Sequence, residues 1–380
     1  MNPRITGVTA HPVSFAVPPE HQVNLGIGRT VKRDAVLVEV TTDAGISGWG
    51  EAHAARAPTA IAELVNSTLA ALVTGLDATD TEAVWARIYR MQLASHGAGA
   101  AAVIGLSGID LALWDIKGKL AGQPVYALLG AAPREIEAYA GGITLGFQPP
   151  AALAAEAAGF VAQGFRALKL RLGDTPRADR ARVAAVRDAL GPDIDILTDA
   201  NTAYTLDDYR AVADTLVAAH VGWLEEPFPP HDFRSYRAAR RDDLVLAAGE
   251  NHYTRFDFDR AAEDGVLRVW QPDLSKCGGL TEALRIAALG EKQGIRIHPH
   301  TSLTGLNMAA SLHFLAAIPN AGRFEADCTA CNPLRDELCS GTPWIGATGR
   351  VAPPTAPGLG IAIDARRLGE FTGVPGPGYV

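Results

Sequence analysis

The run ALKLRLG (residues 167–173) puts two cations, Lys169 and Arg171, two positions apart inside an otherwise apolar stretch. In a strand, side chains at i and i+2 leave by the same face. Two positive charges therefore enter one interior together, which demands anionic partners there. From about residue 135 the surrounding sequence alternates short apolar runs with long helical patterns rich in Ala, Leu, Val and Arg. The runs are IEAYAGG (136–142), RALKLRL (166–172), IDILTDAN (194–201), VGWLEEP (221–227), LVLAAGEN (244–251), LRVWQPD (267–273), IRIHPH (295–300) and RFEAD (323–327). Eight strand candidates separated by helices are the pattern of parallel βα units. Eight units in roughly 200 residues suit a closed (β/α)8 barrel of the TIM type. A doubly wound open sheet would want a G-x-G-x-x-G turn after its first strand, and YAGGITLGF (139–147) does not supply one.

The first 125 residues read differently, as α+β. RITGVTAHPVSFAV (4–17) and DAVLVEVTT (34–42) are strand patterns, and the second runs through the turn Asp43-Ala44-Gly45 into ISGWGEAH (46–53), which suggests a hairpin. Ala-rich helical patterns follow, ending near IKGKLAGQPVYALLG (116–130). The tail PGLGIAIDARRLGEF (357–371) starts with Pro and Gly and looks like a return to the first domain. The expected organisation is an α+β capping domain (1–128), a barrel (129–345) and a C-terminal segment that completes the cap (346–380).

The bulk composition excludes several classes. A formal net charge of -8 gives no basic footprint for nucleic acid. Four cysteines in 380 residues argue against a disulfide scaffold. The N-terminus lacks a continuous apolar signal region, and the most apolar helix candidate, AAVIGLSGIDLALW (101–114), is short and broken by Asp110. We expect a cytoplasmic homo-oligomer acting on a small-molecule carboxylate, with no nucleic acid or membrane partner.

Polar residues recur where the barrel strands end. Lys169 is followed by Asp199, Glu225, Glu250, Asp273, His300 and Glu325, at steps of 30, 26, 25, 23, 27 and 25 residues. Each step is about one βα unit, so these side chains recur at one height on the rim where such barrels place their chemistry. Asp199, Glu225 and Glu250 come from adjacent strands and would repel one another without a shared cation. All-oxygen ligation suits a hard ion, most simply Mg²⁺; helix N-caps or salt-bridged rim acids are the plainer reading of any one of them alone. Asp273 beside His300 has the logic of a dyad that fixes a tautomer and raises basicity, with His298 as a rival on the same face. Lys169 and Arg171, on the opposite side of the barrel, would face that pair across the metal.

A metal flanked by cations and an imidazole suits removal of a proton α to a carboxylate, because the enediolate needs strong positive charge where its negative charge develops. At this point the sequence resembles a known family, the mandelate racemase subgroup of the enolase superfamily. The resemblance rests on KLR (169–171), DAN (199–201), WLEEP (223–227), GEN (249–251), QPD with KCGG (271–279), HPH (298–300) and FEAD (324–327). GWGEA (48–52), SGIDLALWDIKGK (107–119) and PGLGI (357–361) extend it over nearly the whole chain. A Lys or His base acting with Mg²⁺ is an established pattern of that superfamily. The resemblance implies Mg²⁺ on Asp199, Glu225 and Glu250, His300 as acid/base assisted by Asp273, and Glu325 and Lys169 on the substrate carboxylate. Asp273 separates the chain from the muconate lactonizing subgroup, which carries a Lys there.

Arg171 departs from the family's Lys-x-Lys. A guanidinium stays protonated and is a poor general base, so two-base racemisation is disfavoured. A one-base reaction remains, in which His300 removes the α-proton and protonates a departing β-hydroxyl, dehydrating a sugar acid to a 2-keto-3-deoxy acid. Arg171 would then be a fixed cation or a donor to a substrate hydroxyl. The alternatives are a racemase, epimerase or cycloisomerase using the same enediolate, and a non-catalytic carboxylate-binding protein. Candidate substrate contacts are Arg29, His53 and His96 from the cap, with Asn201 and His298 from the barrel; polar cap donors would suit a polyhydroxylated or dicarboxylic acid. CTAC (328–331), with Cys328 and Cys331, lacks the second pair a zinc site needs and reads as a loop.

Overall fold

The structure, a computed structural model, describes residues 2–95, 99–301 and 303–380. The cap begins with an antiparallel sheet of β1 (Ile5–Ala16), β2 (Lys32–Thr42) and β3 (Ser47–His53) in that order. The hairpin between β2 and β3 turns at Gly45, whose φ of 74° favours a residue without a Cβ. Helix α1 (Ala100–Ala121) lies against β3. The glycines of GWG explain how close it comes: a Cβ at Gly48 would sit 2.2 Å from the Ala112 carbonyl oxygen, and one at Gly50 2.2 Å from that of Gly108. Any side chain there would lift the helix off the sheet. Val36, Val38, Leu106, Ile109 and Leu113 close the cap core beneath it.

The barrel strands are β4 (Ile136–Gly141), β5 (Ala167–Arg171), β6 (Asp195–Asp199), β7 (Val221–Glu225), β8 (Leu246–Ala248), β9 (Val269–Trp270), β10 (Arg296–Ile297) and β11 (Phe324–Asp327). They pair in parallel, each with its neighbour from β4 to β10, and β11 lies beside β4. The ring is completed between β10 and β11 by a parallel bridge from Ile297 to Ala321. The fold is therefore a (β/α)8 barrel carrying an N-terminal α+β cap.

Local sequence sets the helices between strands. Thr175 caps the helix Pro176–Leu190, which starts with Pro, and Thr205 and Asp208 form a reciprocal capping box for the helix Leu206–Ala218. After β11 the chain adds Arg350–Val351 antiparallel to β4, then reaches the cap. There the Leu359 amide donates to Asp115 Oδ1 of α1 at 2.9 Å, and Tyr379 bridges Thr30. Among the described residues no helix is long and apolar enough to cross a membrane. All four cysteines are free; Cys328 and Cys331 lie in the loop that leaves β11.

Candidate active site

Strand alternation sorts side chains across the barrel wall. On β5, Leu168 and Leu170 pack outward, while Ala167 joins Tyr139, Leu197, Trp223, Ala247 and Val269 in an apolar layer across the barrel axis. Two residues further along their strands, Lys169, Asp199 and Glu225 bring charge into the next layer, where Gln271 Nε2 donates to Glu225 Oε2 at 2.6 Å. Lys169 is fully buried, with Nζ 3.1 Å from both carboxylate oxygens of Glu225, 2.9 Å from Glu325 Oε1 and 3.6 Å from Asp199 Oδ2. Burial alone would strip its proton, but Glu225 and Glu325 outweigh that and hold the ammonium above its ordinary value. The partners demanded by two cations on one strand face are thus present.

Arg171 pairs with Asp199 Oδ2 and donates to the Gly142 carbonyl; its Nε has no partner among the described residues. Against its burial, Asp199 and Glu325 hold it more firmly protonated than a free arginine. It is a fixed cation, not a base.

The acids on the neighbouring strand ends outnumber these cations. Burial pushes Glu225 up to about 7 despite Lys169, with Asp199, Glu325 and Glu250 adding repulsion. Glu226 is pushed well above the usual range by burial and by Glu250 and Asp199. Successive residues of a strand should face opposite ways, but Glu226 has a φ of 35°, and this turn brings its carboxylate into the same space. Asn251 holds it there, donating to both Glu226 oxygens (3.1 and 2.8 Å) and to Glu250 Oε1 (2.9 Å).

His300 faces this cluster. Its Nδ1 lies 2.7 Å from Asp273 Oδ2 and its Nε2 2.9 Å from Glu250 Oε2. Burial opposes the charge, but Glu250 and Asp273 hold the imidazolium well above its ordinary value. Asp273 is aimed by the Ser275 amide and hydroxyl, both at 2.7 Å, and by Asn307 Nδ2 at 3.1 Å. Its burial is overridden by His300, so its carboxyl titrates at about 2. Glu325 accepts from Lys169 and from the Gly142 amide at 3.1 Å, and Lys169 and His300 keep it below the usual range against its burial. In this arrangement it is an acceptor.

Of these groups Arg171, Glu226, Glu250, Asn251 and His300 line a cavity of about 470 Å³ beneath the cap, with Leu25, Ile27, Arg56, Lys276, Leu303 and Tyr379; Lys169, Asp199, Glu225, Asp273 and Glu325 lie behind that lining. Of the anticipated substrate contacts, His53 and Asn201 line it. Burial drives His53 down to about 3, and its Nδ1 accepts from the Ala55 amide at 3.0 Å, which leaves Nε2–H as a donor. Two expectations are corrected. Arg29 lies outside the cavity lining: the chain reverses at Gly28, Arg29 is exposed, and it bonds to Gln22 instead. His298 sits at the depth of the apolar layer, edge-on to Trp223 at 4.9 Å, and borders a separate hollow at the other end of the barrel. His96 lies outside the described residues.

Among the described residues, no group of three or more His, Cys, Asp or Glu side chains is gathered closely enough to hold a metal ion. Asp199 is turned onto Arg171, Glu225 onto Lys169 and Glu250 onto His300. The chemistry of the donors nonetheless fits a hard dication. They are all carboxylates on adjacent strand ends, and a fourth, Glu226, shares the cavity with Glu250 and takes its hydrogen bonds from the Asn251 side-chain amide rather than from a cation.

Glu226, Asn251, Lys276 and Arg56 were missed by the sequence reading. The doubled glutamate of WLEEP and the Lys of KCGG lay in quoted motifs, yet no periodicity marks them as inward-facing.

Comparison with known proteins gives the same picture. Residues 8–130 match the mandelate racemase / muconate lactonizing enzyme N-terminal domain, and residues 152–367 match the enolase C-terminal domain-like family. The chain is 36% identical over 352 residues to D-galactarolactone cycloisomerase of Agrobacterium fabrum, covering 90% of this chain and 92% of that one. It is 31% identical over 333 residues to arabinonate dehydratase of Saccharolobus solfataricus, covering 87% and 88%. A crystal structure of an enolase superfamily member from Polaromonas sp. JS666 superposes with a TM-score of 0.97 at 52% identity, covering 99% and 100%. A racemase from Streptomyces coelicolor A3(2) with bound magnesium gives 0.87 at 29% identity, covering 97% and 99%. Cap, barrel and these matches together make the protein an enzyme of the enolase superfamily, in its mandelate racemase subgroup.

Proposed function

We propose that the protein removes the proton α to the carboxylate of a sugar acid with His300 as its one base, and then expels the β-oxygen substituent. When that substituent is a hydroxyl, the reaction is dehydration to a 2-keto-3-deoxy acid. The observation that carries this reading is the asymmetry of the cavity. The His300 imidazole, oriented by Asp273, is the one paired with a carboxylate that raises its basicity, while Arg171 on the cavity wall and Lys169 behind it are held firmly protonated.

Asp199, Glu225 and Glu250 are the residues that would hold Mg²⁺, which when bound supplies Lewis-acid charge to the substrate carboxylate. Lys169, buried and firmly protonated, adds a second positive charge to the same group. Glu325 keeps Lys169 in place rather than donating a proton of its own. Were Glu250 Oε2 to hold the ion, its bond to His300 would be given up, so that Nε2 would be free while Nδ1–H stays on Asp273. His300 Nε2 then takes the α-proton and returns it to the leaving oxygen, so a hydroxyl departs as water. Arg171 stays fixed beside Asp199 and cannot act as a base on the opposite face, which weighs against racemisation.

A second reading is supported by the 36% identity to a D-galactarolactone cycloisomerase. If the β-oxygen belongs to a lactone ring, the same elimination opens the ring with no loss of water. The test is incubation of the purified protein with Mg²⁺ and a panel of acid sugars and their lactones. A 2-keto acid formed with loss of water supports dehydration, and a ring-opened isomer supports the second reading. Solvent deuterium at the α-carbon with neither product would replace both with racemisation. Chelation should abolish turnover and added Mg²⁺ restore it.

A further inference from the structure

We infer that Arg56 receives the far carboxylate of the substrate, so that the preferred substrates are dicarboxylic acid sugars rather than their monocarboxylic counterparts. This rests on the proposed reading only for which end of the substrate reacts.

Three observations single out Arg56 among the cations that line the cavity. Arg171 is spent on Asp199, and Lys276 is buried and donates to Asn251 Oδ1 at 2.9 Å, with Glu250 nearby holding it protonated. Arg56 has neither kind of partner: among the described residues no carboxylate lies within ion-pair distance and no hydrogen bond satisfies its guanidinium. Its one contact is the face of Tyr379, 4.9 Å from the guanidinium carbon to the ring centre. A cation–π contact at that distance steadies the group without consuming its N–H donors, which stay available for bidentate carboxylate binding.

The side chain is also preset. Ala55 and Arg56 both have left-handed backbones, φ 47° and 60°, which L-residues adopt at a cost. The root of the loop is tied down on both sides of the strand end: the His53 amide donates to the Ser275 carbonyl at 3.0 Å, and the Ala55 amide to His53 Nδ1. Tyr379 is fixed in turn by its bridge to Thr30, flanked by bonds between Arg29 and Val380 at 2.8 and 3.0 Å. Arg56 itself is exposed at the cavity mouth, on a loop whose root these bonds hold in place, which lowers the cost of ordering it on an anion. Apolar Leu25 and Ile27 line the same cavity and offer a carboxylate no donor.

The experiment compares acids of matched configuration, galactarate with galactonate and glucarate with gluconate. Binding is measured by calorimetry on the His300→Asn protein with Mg²⁺, with and without Arg56→Gln or Arg56→Lys. The parent should prefer a dicarboxylate. Arg56→Gln should weaken that dicarboxylate about 10- to 100-fold, the span of a charge-assisted hydrogen-bonded pair, and shift the monocarboxylate less than about threefold. Arg56→Lys, which keeps the charge but not the fork, should fall between. In the active protein the loss should appear in KM and leave kcat nearly unchanged. Equal weakening of both acids, or a parent with no preference for a dicarboxylate, overturns the assignment. If the dicarboxylate preference depends on Arg56 but no acid is turned over, elimination falls and this assignment stands. If galactonate is dehydrated and Arg56→Gln changes nothing, the reverse holds.

Discussion

His298 and His300 stand two residues apart, both buried, and their environments drive the imidazoles in opposite directions. His298 lies at the apolar end of the barrel axis, where burial, with Arg323 and Arg296 adding repulsion, takes it down to about 3. His300 lies at the charged end, where Glu250 and Asp273 overturn an equally unfavourable burial. Depth along the axis, not burial, decides which histidine can exchange protons. About 6.6 Å of strand, two residues' rise, separates a structural ring from a reactive one.

The strongest way to break this comparison is to exchange the two histidines' fates. His300→Asn should cost about 10³- to 10⁴-fold in kcat, as expected for loss of a general base, with an unchanged circular dichroism spectrum; retained activity would remove the base assignment. A buried acid without a cation sharpens the contrast next. Asp110 of α1 accepts from the Thr281 amide at 2.9 Å, and burial lifts it from 3.8 to about 7. Its folded value is the higher one, so the contribution of Asp110 to stability is greatest below pH 4, falls as pH rises toward 7 and levels off above. The loss is at most about 4 kcal/mol, and Asp110→Asn should flatten that slope in denaturant titrations between pH 4 and 8.

Asp273→Asn leaves His300 without its oriented partner and should lower kcat about 100-fold, a loss read directly from steady-state rates. Arg171→Lys retains the charge but cannot bridge Asp199 and the Gly142 carbonyl together; about tenfold in kcat/KM is expected. At the small end, His298→Asn should leave turnover within about twofold and cost about 1–2 kcal/mol in melting experiments. A large kinetic effect there would erase the distinction between the two ends.

Much of the site was legible because the sequence repeats one instruction eight times. β5, β6 and β7 end at or beside Lys169, Asp199 and Glu225, where strand alternation alone aims the side chains inward. The reading extends past the ends of β8, β9 and β10, since Glu250 lies two residues beyond one strand and Asp273 and His300 three beyond the others. Spacing still found them because a βα unit has a nearly constant length. Alternation failed where the backbone leaves the pleat. Glu226 enters the cavity through a left-handed turn that no side-chain pattern announces. In the cap, Arg29 was assigned by loop composition, but a hairpin reversal sends it outward, and Arg56 takes the place beside the cavity. His298 was misjudged for a third reason: period two gives the face of a strand but not its depth.

The bridge from Ile297 to Ala321 has one more implication. The Ile297 amide donates to the Asn320 carbonyl at 3.0 Å, its carbonyl accepts from the Gly322 amide at 2.7 Å, and the Arg323 amide donates to His298 Nδ1 at 3.0 Å, so this seam is held by short-range bonds around a very short strand rather than by a long ladder. With two register pairs joining β10 to β9 against five joining β5 to β6, amide deuteration around residues 295–300 should outpace that at 167–171, and the imidazole that handles protons would follow one of the shorter ladders of the barrel.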